Sequence, residues 1–366
     1  MKNIYIANDK TAKKIKNIFI GVNNVARVIK KGYIGVNGKA KLFFDNSLLP
    51  FSYLRELDPL ISPAYYFAAT CIGNYALFGG GRSSSSAYLS DVTAYNNELV
   101  KIKAPNLNAA TDGLASASIE NYALFGGGTQ KVTAYNKELM VITPTALPYN
   151  HKWLAAGSME KYILFGGANQ AVYSYDENLV YKALSNYLQT PTAGLTSVNR
   201  SKYVIFAGGV YTGVVSAVTA YDENLTRINL SNLTQARKGL ASAMAGNYIV
   251  ISGGTTSDSD ADPSVIVDVY DENMVHIQGL SLTEERCFHS ATTVNDYCFV
   301  SKGVRVSSYP TIAEIFSPDL VKTNIPDPGY KARAPKSATV GKYVLFGGGT
   351  RSYSVLDKVD SYIYNG

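Results

Sequence analysis

The sequence predicts an all-β fold, a seven-bladed β-propeller, and three observations carry the prediction. A short string recurs seven times, each recurrence spans four strand-like segments, and Gly or Asx turns punctuate them. YALFGGG at 75–81 returns as YALFGGG (122–128), YILFGGA (162–168), YVIFAGG (203–209), YIVISGG (248–254), YCFVSKG (297–303) and YVLFGGG (343–349), at spacings of 47, 40, 41, 45, 49 and 46 residues. Self-similarity with a period of about 40 to 50 residues marks propeller blades, each a four-stranded sheet.

Within a unit the strands follow in order. A small-residue segment such as GLASASI (113–119) comes first, then the Tyr-initiated apolar segment ending in Gly-Gly. The third is VTAYNNEL (92–99), echoed by VTAYNKEL (132–139), VYSYDENL (172–179), VTAYDENL (218–225), VDVYDENM (267–274) and AEIFSPDL (313–320). The fourth resembles LVKIKA (99–104). Alternating apolar and β-branched residues between turn residues read as strands, not helices. The Gly pair suits a strand end that needs a bulge or positive φ. The acidic turns at Asp176, Asp222 and Asp271 occupy identical repeat positions, which points to Asx-turn geometry and not to catalysis.

Ring closure is also legible. The sequence reaches Tyr364-Asn365-Gly366 where the fourth strand of unit seven is due, and Phe44-Asp45-Asn46-Ser47-Leu48 resembles the lead-in Tyr175-Asp176-Glu177-Asn178-Leu179. A strand within 45–55 is therefore expected beside 355–364, closing the ring and leaving no open sheet edge.

Residues 44–366 resemble kelch-repeat β-propellers. The resemblance rests on the hydrophobic run ending in Gly-Gly, the downstream Tyr, and RCFHSAT at 286–292, which is similar to the Arg-x-x-His start of a kelch strand. The family's Trp a few residues after that Tyr is absent from every unit. Residues 1–43 repeat with their own period of 14: IYIANDKTAKKI, IFIGVNNVARVI and YIGVNGKAKLFF begin at residues 4, 18 and 33, the last lacking its first residue. Asn37-Gly38 between alternating segments signals a type I′ hairpin. The leader is thus a small β-hairpin module, too short for a large core and in need of a partner. It resembles the YIGVNG-type modules at the front of prophage-encoded tail and surface proteins of Gram-positive bacteria. That resemblance implies a virion protein, made in the bacterial cytoplasm and docked to other virion proteins through residues 1–43.

Charge separates the same two regions. Residues 1–44 carry ten basic residues against Asp9 alone, +9, whereas the remainder holds 24 basic and 27 acidic residues, −3. The leader lysines lie along hairpins with few aromatics, unlike a single-strand nucleic-acid platform, so no nucleic-acid partner is expected. No apolar run approaches the roughly 18 residues of a membrane span, so membrane insertion is not expected. Charges break up the first 20 residues where a signal peptide needs an apolar core. Cys71, Cys287 and Cys298 are too few for a disulfide framework and suit a reducing cytoplasm.

Chemistry is sparse. A phosphate loop needs a helix after its glycines, and here another strand follows each time. His151, His276 and His289 form no metal-ligand pattern, and Cys287 and Cys298 are expected to pack. Asp258-Ser259-Asp260-Ala261-Asp262 imitates the start of a calcium loop but lacks the following Gly and the distal Glu, Val269 standing there. Neither metal, cofactor nor catalytic residue is assigned.

The informative surface is the face carrying the second–third and fourth–first connections. Tyr88, Tyr211, Tyr309 and Tyr353 lie in long second–third loops. The fourth–first segments bring Lys152, Trp153, Arg237, Arg286 and Arg333, with Tyr66, toward the channel mouth. Exposed aromatics and cations around a concavity suit a saccharide or an acidic glycan. The sequence therefore reads as a non-enzymatic phage virion or tail protein displaying a recognition face for a host-surface glycan or protein. The alternatives are a carbohydrate-active kelch enzyme, similar to sialic-acid mutarotases or galactose oxidases, and a purely scaffolding virion protein.

Overall fold

The structure is a computed structural model that describes residues 49–190, 192–257 and 261–366 (Gln278 by its backbone) and, by backbone alone, six strands between residues 5 and 45. The chain divides into two compact units, residues 1–51 with 365–366 and residues 52–364. In the first unit three antiparallel hairpins follow one another, Tyr5–Asn8 with Thr11–Lys14, Phe19–Val22 with Val25–Val28, and Lys31–Val36 with Lys39–Asp45. The turn Asn37-Gly38 between Val36 and Lys39, and residues 258 to 260 of the calcium-like string, lie outside the described residues.

The second unit is a seven-bladed β-propeller of four-stranded antiparallel sheets. Blade 1 runs from Ala68–Ile72 at the hub through Tyr75–Gly79 and Val92–Asn96 to Lys101–Ala104 outside. The hub strands of blades 2 to 7 begin at Ala115, Ala155, Thr196, Ala241, Ser290 and Lys336. Each hub strand packs on the next, and the seventh on the first. Closure is as the repeat register demands: Phe51–Glu56 is the outer strand of blade 7, beside Val359–Tyr364.

The repeated letters have separable jobs. The second strand's Phe meets the third strand's Tyr edge to face, as in Phe78–Tyr95, Phe125–Tyr135 and Phe165–Tyr175 at about 6 Å. Each such Tyr is fully buried, and its hydroxyl donates to a carbonyl of the segment leading into its own blade: Tyr95 to Asp58, Tyr135 to Pro105, Tyr175 to Thr145, Tyr221 to Asn186 and Tyr270 to Ser231, all at 2.6–2.7 Å. The acidic turns are Asx turns, since Asp222 Oδ1 accepts the Asn224 and Thr226 N–H groups and Asp271 Oδ1 those of Asn273 and Val275. Gly209 shows why glycine ends the second strand. Its φ is +104°, and a Cβ there would stand 2.2 Å from Thr192 Oγ1.

Candidate functional site

The seven segments that enter the hub strands share one register. At their last position before the hub core stand Tyr66, Gly113, Trp153, Gly194, Gly239, Phe288 and Ala334, all with φ between 49° and 66°. A left-handed residue turns the chain into the hub and aims its N–H at the preceding blade. Gly113 donates to Tyr66 O, Trp153 to Gly113 O, Gly194 to Trp153 O, Phe288 to Gly239 O and Ala334 to Phe288 O, at 2.8–3.0 Å. These bonds run around the channel mouth from blade to blade. At three of the positions an aromatic residue occupies a conformation that favours glycine, at a cost of about 1 kcal/mol each. Tyr66, Trp153 and Phe288 consequently collar the mouth, with Tyr66 and Trp153 edge to face at 4.5 Å.

Two positions earlier, beyond an intermediate residue that faces the loops, the side chains point into the blades, because successive residues of an extended segment face opposite sides. There lie His151, Arg237 and Arg286, and this corrects the expectation that Arg237 and Arg286 are exposed ligand contacts. Both are 0% exposed. Arg237 is paired with Asp268 and donates to Gly253 O and Ile266 O. Arg286 reaches Glu314 Oε1 at 2.9 Å. The acids occupy the second position of the third-strand string, where blades 1, 2 and 4 carry Thr93, Thr133 and Thr219. His151 meets Tyr173 at that same level, Nε2 to hydroxyl 2.9 Å. In blade 7 the acid is Asp360, held with Asp327 by Lys302 at 2.5 and 2.8 Å. These cations clasp blades together.

The intermediate position faces the loops. Arg333 lies here, its guanidinium 3.6 Å from the Phe288 ring centroid. So does Lys152, 2.5 Å from Asp112 Oδ1 and 5.1 Å from the centre of the Tyr88 ring. Asp112 is also 3.3 Å from Arg82 Nε, and Arg82 stacks on Tyr65 and Tyr66 at 4.9 and 5.1 Å. The Lys152 and Arg82 charges thus share one buried carboxylate, leaving Tyr88 and Trp153 as the exposed aromatic members.

A concavity of about 1200 Å³ lies between blades 1, 6 and 7 on this face. Tyr65, Tyr66, Tyr309, Tyr353, Arg305 and Arg333 line it, with Ser83, Ser84, Ser85, Ser307 and Ser308. Tyr353 sits at the tip of a tight hairpin, Thr350–Arg351 with Ser354–Val355, whose two loop residues Ser352 and Tyr353 have φ of 46° and 71°. Such turns favour Asn-Gly, so a fully solvated tyrosine there is held against its backbone preference. Arg305 is tied to Glu285 at 2.9 Å, a hydrogen bond that raises its pKa further. Of the sequence-derived candidates, Tyr66, Tyr309, Tyr353 and Arg333 meet in this cleft, whereas Trp153, Lys152 and Tyr88 cluster beside the mouth. Tyr211, exposed in blade 4, joins neither group.

Below the collar the channel is lined mainly by Ala, Ser and Thr, with leucines near its upper end. His289 stands in its wall, 6% exposed, with Nε2 2.9 Å from Ser252 Oγ and Nδ1 without a hydrogen-bond partner among the described residues. Burial, with the charges of Arg286 and Arg237, pushes its pKa well below the usual histidine range, so it is neutral. Among the described residues no group of three or more His, Cys, Asp or Glu is placed to hold a metal, and Cys287 and Cys298 are buried and form no disulfide. Sequence reasoning missed Arg305 and Lys336. Lys336 was legible as the one lysine at a repeat position that other blades fill with Ala, Ser or Thr.

A closed ring of seven four-stranded sheets, with a loop-built concavity on one face, defines the chain as a β-propeller. No family model and no curated protein matches it. Among solved structures it is similar to that of YjhT, with a TM-score of 0.59 over 74% of this chain and 99% of that one, at 13% identity. At that identity the likeness speaks to the fold alone.

Proposed function

We propose that the protein is a non-enzymatic recognition protein whose propeller holds a host-surface saccharide in the cleft between blades 1, 6 and 7. The observation that carries this reading is Tyr353, presented in a left-handed backbone conformation at the edge of a tyrosine- and serine-lined cleft. Sugar rings offer C–H faces to aromatic planes and hydroxyls to serines, and Arg333 at the cleft wall suits an acidic substituent. The opposite, short-turn face is occupied by self-satisfied Asx turns. The basic leader, through its resemblance to phage tail modules, supports a role as a tail or surface component, with residues 1–43 docking to other virion proteins.

Glycan-array binding tests the reading. Tyr309→Ala with Tyr353→Ala should weaken binding roughly tenfold to a hundredfold, for two stacking contacts of about 0.5–1.5 kcal/mol each. Asp222→Ala with Asp271→Ala on the other face should leave it intact. Equal losses from both faces, or none from either, count against the cleft. A chain starting at residue 44 should bind glycan as well as the full chain and yet fail to join the particle.

A further inference from the structure

The hub strands of blades 1 to 6 begin with Ala68, Ala115, Ala155, Thr196, Ala241 and Ser290, and that of blade 7 with Lys336. The first six are small enough to sit against the neighbouring blade. A lysine is not, and its side chain is exposed within the channel, where it lines both the upper channel and the mouth pocket. Among the described residues no hydrogen bond or ion pair holds its ammonium. The lysines and arginines that clasp blades 5 to 7 are, by contrast, each matched to a carboxylate.

The surroundings carry no compensating charge. The residues lining the channel and its mouth include no Asp or Glu, and His289, the other titratable group beside Lys336 in both cavities, is neutral. Protein encircles the amine, and that desolvation lowers its pKa below the ordinary lysine value. An unpaired ammonium held among hydroxyls and apolar walls leaves a charge to be met by an anion. Above it the mouth pocket, of about 170 Å³, is walled by Tyr66, Trp153, Phe288 and the leucines of the hub entry. The upper channel below it is of about 240 Å³.

We propose that the channel mouth is a binding site for a small organic carboxylate, such as a sugar acid, with Lys336 pairing the carboxylate and the Tyr66–Trp153–Phe288 collar contacting the body of the ligand. This site adjoins the cleft of blades 1, 6 and 7, sharing Tyr66 with it, and does not depend on the reading given to that cleft.

Trp153 is the only tryptophan of the chain and stands in the collar, so its fluorescence reports the site directly. Titration of the full chain with glucuronate should give a saturable change in emission, and uncharged glucose should not. Lys336→Ala installs the residue that four other blades carry, and should weaken glucuronate at least tenfold while acrylamide quenching of Trp153 stays as in the parent. Tyr353→Ala, a cleft change, should leave the titration unaltered. Raising the pH through the amine's lowered pKa should abolish the response in the parent. The proposal is overturned if the parent shows no saturable response to glucuronate, if glucose acts equally, or if Lys336→Ala titrates like the parent.

Discussion

Arg286 and His289 lie three residues apart, and both owe their state to burial. Arg286 reaches Glu314 with no solvent to share the charge. Removing one partner leaves the other charge stranded, so Arg286→Ala should cost about 3–5 kcal/mol, far more than loss of an exposed ligand contact would. Urea unfolding would show it, and a midpoint unchanged from the parent would contradict the clasp. His289 behaves differently, because folding keeps it neutral. The unfolded chain takes up a proton near pH 6.5 and the folded chain does not, so the stability this residue contributes is complete above about pH 6.5 and lost below it. The expected slope is up to about 1.4 kcal/mol per pH unit for this one group. His151, lowered by burial in the same direction, adds to it. Melting temperatures between pH 7 and pH 5 should therefore fall less steeply in His289→Gln than in the parent.

At the scale of the element, the third strand is the blade's anchor. Its Tyr packs on Phe inside the sheet and ties the incoming segment through its hydroxyl, so one residue links strand, blade and connection. Tyr175→Phe keeps the ring contact with Phe165 and loses the bond to Thr145 O, which predicts a loss of about 1 kcal/mol. Blade 6 already carries Phe316 at this position, so the blade itself should still form. The following turn is held by its Asx oxygen and lets Leu225 take φ 61° while burying its side chain. Asp222→Ala frees two N–H groups and should cost a similar amount, read as a lowered denaturation midpoint.

The propeller is closed by a strand from the opposite end of its sequence. Phe51–Glu56 covers the edge of Val359–Tyr364, with Leu57 N–H to Val359 O at 2.8 Å and Ser361 Oγ to Arg55 O at 2.7 Å. The charged clasp of Lys302 with Asp327 and Asp360 lies in blades 6 and 7, next to this seam. A chain starting at residue 58 lacks the closing strand and exposes a row of unpaired backbone groups. It should melt at a lower temperature and aggregate, measured by light scattering on heating. A chain starting at residue 44 should not, and equal behaviour of the two would deny the seam its importance.

The number of blades, the strand order, the Asx turns and the closing strand were legible in the sequence, because each is a local pattern repeated in register, and repetition averages out the accidents of one copy. The candidate site was legible in part. Tyr66, Tyr309, Tyr353 and Arg333 do gather, since loop position alone assigns them to one face. Arg237 and Arg286 could not be told from Arg333 without the tertiary structure. In an extended segment a shift of one residue exchanges inside for outside, and only the acids Asp268 and Glu314, supplied from a strand about 30 residues away, decide which side buries a guanidinium. Lys336 shows the converse. Its break with the repeat is visible in the sequence, but that its ammonium has no partner among the described residues depends on seven hub strands converging on one channel.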